Sequence, residues 1–256
     1  MFADERRTKI ADMIHRNNSV STSELTEIFQ VSLETIRRDL ESMEEQGVLK
    51  RVHGGAISVQ KLQSYDNLSR RTVFHQTEKR KLSLAACAYI SNRDYIALDA
   101  GTTAIELAKL IRERFQELTV LTNSLEIFEI LSENRGIHTI LAGGFYLAEE
   151  KCFYGHPTID MIHQFHVAKC FITPSGISLN FGISDHIHEM IDVQRNIMGI
   201  SDEVYVLVDS SKFESCAPLK ICDLNTAHTY LTDSGLSEEI FKIYHEAGIK
   251  IKKQEN

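Results

Sequence analysis

Two helix starts stand only a few residues apart near the N-terminus, and that joint constrains the fold of this chain more than any other feature. Ser21-Thr22-Ser23-Glu24 has the Ser-x-x-Glu form of a capping box and opens a short helix through Leu25, Ile28 and Phe29. Only Gln30 and Val31 precede Ser32, which is placed to cap a second helix. In that helix Leu33, Ile36, Leu40 and Met43 recur at helical spacing, and Gly47 stands where a left-handed stop is expected. An isolated helix of this kind reads as an ordinary amphipathic surface helix carrying a few arginines. Two helices with so tight a joint read instead as a helix-turn-helix, whose second helix lies in the DNA major groove.

The second helix then turns Thr35, Arg38 and Ser42 outward, with Arg37 at the edge of that face. Val48 to Val52, the turn His53-Gly54-Gly55-Ala56 and Ile57 to Val59 follow as two short strands about a glycine turn, which is the form of a wing. Arg6 to His15 reads as a supporting first helix facing inward through Ile10, Met13 and Ile14. The expected DNA contacts are Ser32, Thr35, Arg37 and Arg38 on the helix, and Lys50, Arg51 and His53 on the wing. Arg6, Arg7 and Lys9 are further candidates for phosphate contact. The net charge of −8 argues against a protein that coats nucleic acid through bulk positive charge. Residues 1–60 hold 8 Lys and Arg against 10 Asp and Glu, so attraction to phosphate must be local. The acidic cluster Glu41, Glu44 and Glu45 reads as the solvated end of the helix.

Downstream of residue 76 the pattern changes to strands alternating with helices. Thr77 and Glu78 start a helix through Leu82, Ala85, Ala86 and Ile90. Strands at 95–98, 118–121 and 139–142 alternate with helices at 103–111 and 124–131, and further strands are expected at 170–173, 204–208, 230–232 and 249–251. Such alternation predicts a largely parallel sheet covered by helices. The domains expected are a DNA-binding domain over 1–60, a polar linker over 61–76 and an α/β domain over 77–256.

In the α/β domain the chemistry-bearing residues lie where strands stop. Asp99-Ala100-Gly101-Thr102-Thr103 runs from a strand into a helix, so backbone N–H groups and hydroxyls can face an anion there. A tight turn with a threonine cap is the plainer account of that stretch alone. Asn123-Ser124 and Gly143-Gly144 follow the next two strands, and ligands of open α/β sheets bind at that carboxyl edge. Lys212, just after a later strand, is suited to a phosphate as a point charge.

These residues carry a resemblance. The stretch TIRRDLESMEEQGVLKRVHGGA resembles the signature of the DeoR family of bacterial transcription regulators, and LDAGTTAIELA, LTNSLEI, LAGG and VDSSKF follow in family order. The resemblance covers nearly the whole chain. It implies a winged helix-turn-helix followed by a Rossmann-like α/β sensor domain similar to ribose-5-phosphate isomerase, with a phosphorylated sugar or sugar-like metabolite as effector. By motif match it implies effector contact for Asp99, Gly101, Thr102, Thr103, Asn123, Ser124, Gly144 and Lys212. In the segment ITPSGISLNFGISDHIHE the Ser-Gly-Ile and Gly-Ile frame is kept, while the residues after Gly182 depart from the family pattern.

The function expected is that of a DNA-binding transcription regulator, a repressor whose operator affinity changes with a phosphorylated metabolite. The competing class is an isomerase-like enzyme fused to a DNA-binding module. Such an enzyme needs a carboxylate and a proton relay; Asp99 and Asp209 are candidates, and no second acid or base stands at a convincing position. No catalytic residue and no cofactor is expected. Asp185-His186-Ile187-His188-Glu189 offers a His-x-His pair, but with 11 histidines in the chain chance clustering accounts for it and no metal is expected. Five dispersed cysteines without a Cys-x-x-Cys pair suit reduced thiols. The N-terminus lacks the apolar core of a signal peptide, and no apolar run reaches spanning length. A cytoplasmic location without a membrane partner is therefore expected. Operators with two-fold half-sites predict at least a homodimer, assembled through the larger domain.

Overall fold

The computed structural model describes residues 3–17, 19–45, 48–52, 54–58 and 68–254. It divides into two compact units, residues 1–65 and 66–256.

In the first unit, α1 (Ala3–Asn17), α2 (Thr22–Phe29) and α3 (Leu33–Glu45) enclose a small core. The Ser21 hydroxyl accepts from the Glu24 N–H at 3.1 Å, as the capping signal predicts. Gln30 ends α2 in the left-handed region at φ 52°, reversing the chain within a single residue. Ser32 Oγ accepts from Thr35 N at 3.2 Å and opens α3. The core is Ile10 and Ile14 of α1, Leu25 and Phe29 of α2, Ile36, Leu40 and Met43 of α3, with Val20, Leu49 and Ala56. Leu33, expected on the buried stripe, is 43% exposed, and Asp39 occupies the core face instead. The wing forms as predicted from β2 (Leu49–Val52) and β3 (Gly55–Ser58), paired antiparallel. β1 (Ser19–Ser21) adds a third strand against β3 that its three residues did not announce. Gly55 is required there, because a Cβ would stand 2.0 Å from the Val20 carbonyl oxygen. Gly47 and His53 lie outside the described residues.

The second unit is built on a seven-stranded sheet in the order β15-β14-β12-β9-β4-β5-β6, all neighbours parallel. Its strands are β4 (Tyr95–Leu98), β5 (Leu118–Thr122), β6 (Ile137–Leu141), β9 (Val167–Ile172), β12 (Ser201–Leu207), β14 (Thr229–Thr232) and β15 (Lys250–Lys253). Period-two alternation sends Ile96, Leu98, Phe171, Tyr205 and Leu207 into one core, and Ala97, Cys170, Ile172, Val204 and Val206 into the other. The first core is covered by α5 (Gln76–Cys87), α6 (Thr102–Arg114) and α7 (Leu125–Ser132); α9 (His188–Gly199) and α10 (Glu238–Glu246) supply Val193, Ile197 and Tyr244 to the second. The segment read as a linker is helical where it is described: α4 (Leu68–Val73) buries Leu68 in the first core, so this unit begins before residue 77.

Two smaller sheets stand outside the large one. β7 (Phe145–Leu147) pairs with β8 (Cys152–Tyr154) just before α8 (His156–Ile162). β10 (Gly176–Ser178), β11 (Gly182–Asp185) and β13 (Leu219–Cys222) form an antiparallel sheet, whose middle strand β11 begins where the family pattern departs. All five cysteines are free thiols. Among the described residues no helix is long and apolar enough to cross a membrane.

Candidate nucleic-acid interface and candidate effector site

The DNA-facing candidates of the first unit gather at the start of α3 and on the wing. Ser32 and Thr35 share a hydroxyl contact of 2.9 Å at the N-terminus of α3, and Arg37, Arg38 and Lys50 are exposed. Arg38 Nε lies 3.5 Å from Glu34 Oε1, an i,i+4 pair in open solvent. So exposed a pair holds its arginine weakly. Arg51 is held more firmly. Its N–H donates to Glu44 Oε1 at 2.7 Å and its Nη1 lies 3.1 Å from Glu41. The acidic end of α3 is therefore the anchor of the wing rather than merely a solvated face. Arg6, offered as a phosphate contact, is buried: its Nε donates to Asp39 Oδ2 at 2.5 Å, and Arg7 Nε donates to Asp39 Oδ1 at 3.2 Å.

In the second unit strand order reverses between β4 and β9, since β5 and β6 continue to one side and β12, β14 and β15 to the other. Open α/β sheets bind ligands at such a switch point. Asp99 directly follows β4 and Thr173 directly follows β9, and they meet there: the Thr173 N–H donates to Asp99 Oδ2 at 2.9 Å and its hydroxyl to Oδ1 at 2.6 Å. Gln194 Nε2 joins Asp99 Oδ2 at 3.2 Å to Asp185 Oδ2 at 3.0 Å. Ser175 Oγ donates to the other Asp185 oxygen at 2.7 Å. Burial pushes the Asp99 carboxyl up to about 6; the bonds from Thr173 and Gln194 act against it, and neighbouring Asp185 adds to it. Asp99, expected as an effector contact, is thus engaged by protein donors.

The other motif residues divide by what they touch. A Cβ on Gly101 would fall 1.7 Å from Thr173 Oγ1, so the glycine is demanded by the close approach of the turns that follow the paired strands β4 and β9. Gly101 also leaves α6 without a side-chain cap, so the N–H groups around Thr102 and Thr103 lack that partner. Ser124 is nearly fully buried and caps α7 through Ile127 N at 3.3 Å. Gly144 makes room for Thr158, whose Oγ1 would lie 2.1 Å from an added Cβ. Asn123 is fully buried; its Nδ2 donates to the Phe153 carbonyl at 2.9 Å, while its Oδ1 has no partner. The same is true of Gln194 Oε1.

Positive charge collects at the same edge. Lys212 lies in a 3-10 turn after β12 and donates from Nζ to the Pro174 carbonyl at 2.8 Å. Lys79 of α5 is buried and donates to the carbonyls of Arg71 and Phe74. Burial lowers its ammonium to about 8, with Lys212 as the next cause and Arg71 contributing, while Asp209 and Glu106 oppose. Burial would raise the Asp209 carboxyl, but Lys212, the Ser211 hydroxyl and His75 together hold it below its ordinary value. Arg71 also pairs with the buried Glu150 in the turn between β7 and β8.

Arg71, Lys79, Glu150 and Gln194 were not selected from the sequence, and Asp185 was noted only as a carboxylate flanking the His-x-His pair. Lys79 was within reach: with Leu82, Ser83 and Ala86 it falls at helical spacing on the buried face of α5, and a lysine on such a face needs a partner. Arg71, Glu150 and Gln194 carry no signal of their own, since each is brought in by a segment whose course only the fold defines. Among the described residues no group of three or more His, Cys, Asp or Glu side chains is gathered to hold a metal.

Family models match both units: the DeoR-like helix-turn-helix domain over residues 6–62 and the DeoR C terminal sensor domain over residues 74–234. The chain is 34% identical to the HTH-type transcriptional regulator YulB of Bacillus subtilis, over 98% of this chain and 96% of that protein. It is 33% identical to the lactose phosphotransferase system repressor of Staphylococcus epidermidis, over 93% of this chain and 95% of that protein. Among solved structures, ribose 5 phosphate isomerase A from Neisseria gonorrhoeae aligns at a TM-score of 0.40 and 12% identity, over 53% of this chain and 52% of that one, a likeness too distant to carry a functional argument.

Proposed function

The chain belongs to the DeoR family of transcription regulators, and we propose that it is a repressor of carbohydrate-metabolism genes whose operator affinity changes when a phosphorylated sugar or sugar-like metabolite binds the C-terminal edge of its sensor sheet. The observation that carries the effector half is the gathering of Lys212, Asp209 and Arg71 about Lys79, beside the uncapped start of α6. A dianion bound there offsets the positive charge that, after burial, disfavours the Lys79 ammonium. The phosphoryl group sits against Lys212, Lys79 and the Gly101-Thr102-Thr103 turn. The unpartnered Asn123 Oδ1 and Gln194 Oε1 accept from hydroxyls of the remainder once the site adjusts around it. Asp99 and Gly144 then shape the site rather than touch the ligand.

Regulation rather than catalysis is supported by the same geometry. Asp99, the carboxylate best placed to abstract a proton, has both oxygens occupied by Thr173 and Gln194. The repressor sign and the carbohydrate setting are supported by the name of the staphylococcal relative.

Thermal-shift measurement against matched pairs of sugars and sugar phosphates tests the effector. One or more phosphates should raise the melting temperature where the parent sugar does not, by an amount equivalent to about 2.7 kcal/mol at a hundredfold excess over Kd. No response across the panel would remove this site. For the DNA face, the Arg37→Ala, Arg38→Ala double variant should lose about 1 to 3 kcal/mol per base contact in gel-shift titration while keeping its circular dichroism. Unchanged operator binding would take α3 out of the major groove.

A further inference from the structure

We propose that Asp39 is a positioning residue for operator discrimination, acting through Arg6 and Arg7 of α1 although it touches no DNA itself. The proposal rests on α3 being the helix that reads bases. Asp39 lies on the core face of α3 with Ile36, Leu40 and Met43, and it is 3% exposed. From there it reaches no base edge, and as an anion it could only repel phosphate. Its two carboxylate oxygens are taken by different arginines: Oδ2 by Arg6 at 2.5 Å and Oδ1 by Arg7 at 3.2 Å. Consecutive residues project about 100° apart around a helix, so α1 grips the carboxylate from two directions.

The apolar part of the contact between these helices runs through Ile10 and Ile14 on one side and Ile36, Leu40 and Met43 on the other. Apolar burial is non-directional and fixes how closely the helices approach better than how α3 is rolled about its own axis. Charge-assisted hydrogen bonds at both oxygens fix that roll. A roll of about 20° moves an atom about 5 Å from the helix axis by roughly 2 Å, which exceeds what a hydrogen bond to a base edge tolerates. Flexible arginines and lysines reaching for phosphate accommodate the same shift. Loss of the clamp therefore removes discrimination between sequences and leaves general affinity for DNA.

The sign of the effect separates this role from simple electrostatics. Neutralising Asp39 makes the first unit less negative, so charge alone predicts binding that is tighter on every sequence. Buried ion pairs can be replaced by apolar residues with little loss of stability, and their retention for specificity is a role to be tested case by case.

The full-length wild type is first used to select a duplex from random-sequence DNA, and each variant is titrated against that duplex and a scrambled one of the same composition. Asp39→Asn should lower the ratio of selected to scrambled affinity at least tenfold, with the scrambled affinity and its salt dependence unchanged or raised. An Arg6→Met, Asp39→Leu double variant, compared at matched distance below its melting temperature, should show the same loss. A double variant that melts like the wild type and discriminates like it would make the pair merely structural and overturn the proposal. Should the wild type select no sequence, the assignment of α3 to base reading falls, and the proposal falls with it.

Discussion

Thr173 is the residue that gives meaning to two others. Its hydroxyl holds Asp99, and its position forbids any side chain at Gly101. Burial raises the Asp99 carboxyl from 3.8 to about 6, so between those values the folded chain holds a proton that the unfolded chain has lost. Stability from this group is therefore gained on acidification through pH 6 and is absent well above it. The melting temperature of the wild type relative to Asp99→Asn should rise as pH falls from 7 to 5; a difference flat across that range would remove the burial argument. Lys212 makes the complementary prediction. Lys212→Ala should weaken the response to a phosphorylated effector and leave ligand-free DNA affinity nearly unchanged, because the lysine belongs to the sensor unit. A full response would reduce Lys212 to a surface lysine. At this scale the sequence made Lys212, Asp99 and the glycines visible, because turn chemistry is written locally. It could not separate glycines that meet a ligand from those that meet Thr173 or Thr158, since that depends on partners more than ten residues away.

Elements with a strong period were legible. β4, β5 and β6 with α6 and α7 lie within three residues of expectation, because apolar alternation and caps are local and agree with the packing. What was missed is β1, the β7–β8 hairpin, the β10–β11–β13 sheet, helices α8, α9 and α10, and α4 inside a stretch read as linker. Helix α4 depends on tertiary partners for its place. Lys79 binds the Arg71 and Phe74 carbonyls at its end, and Arg71 reaches the buried Glu150 in the β7–β8 turn. Six residues of helix would not persist in water on propensity alone. Replacing Arg71 with Ala strands Glu150 in a buried position. With allowance for the partial exposure of Arg71, the expected loss is about 2 kcal/mol or more in denaturant melts. Glu150→Gln in the same background should recover much of it by removing the stranded charge. If the double variant melts no higher than Arg71→Ala, the ion pair is not what holds α4.

For the whole molecule the question is how an anion in the sensor alters a helix in the other unit. The two units are joined by the segment that leads into α4, and α4 is tied through Lys79 to the proposed phosphate site. An effector that recruits the Lys79 ammonium competes with the carbonyls at the end of α4, so ligand binding and the anchoring of that segment are linked. Such linkage changes operator affinity only if the effector binds the DNA-competent arrangement and its alternative with different affinity. A single winged helix offers a small interface, and specific operators are commonly held by dimers whose spacing matches two half-sites. We therefore propose at least a homodimer in which the effector would bias the placement of the two reading heads. Reciprocity fixes the outcome numerically: operator DNA must change effector affinity by the same factor as effector changes operator affinity. Calorimetry of effector binding with and without the selected duplex reads one factor, and DNA titration with and without effector reads the other. Equal factors different from one would support the coupling, with sedimentation at working concentration giving a dimer or larger. A factor of one in calorimetry, or a monomer bound to a full operator, would end this mechanism even with both sites correctly assigned.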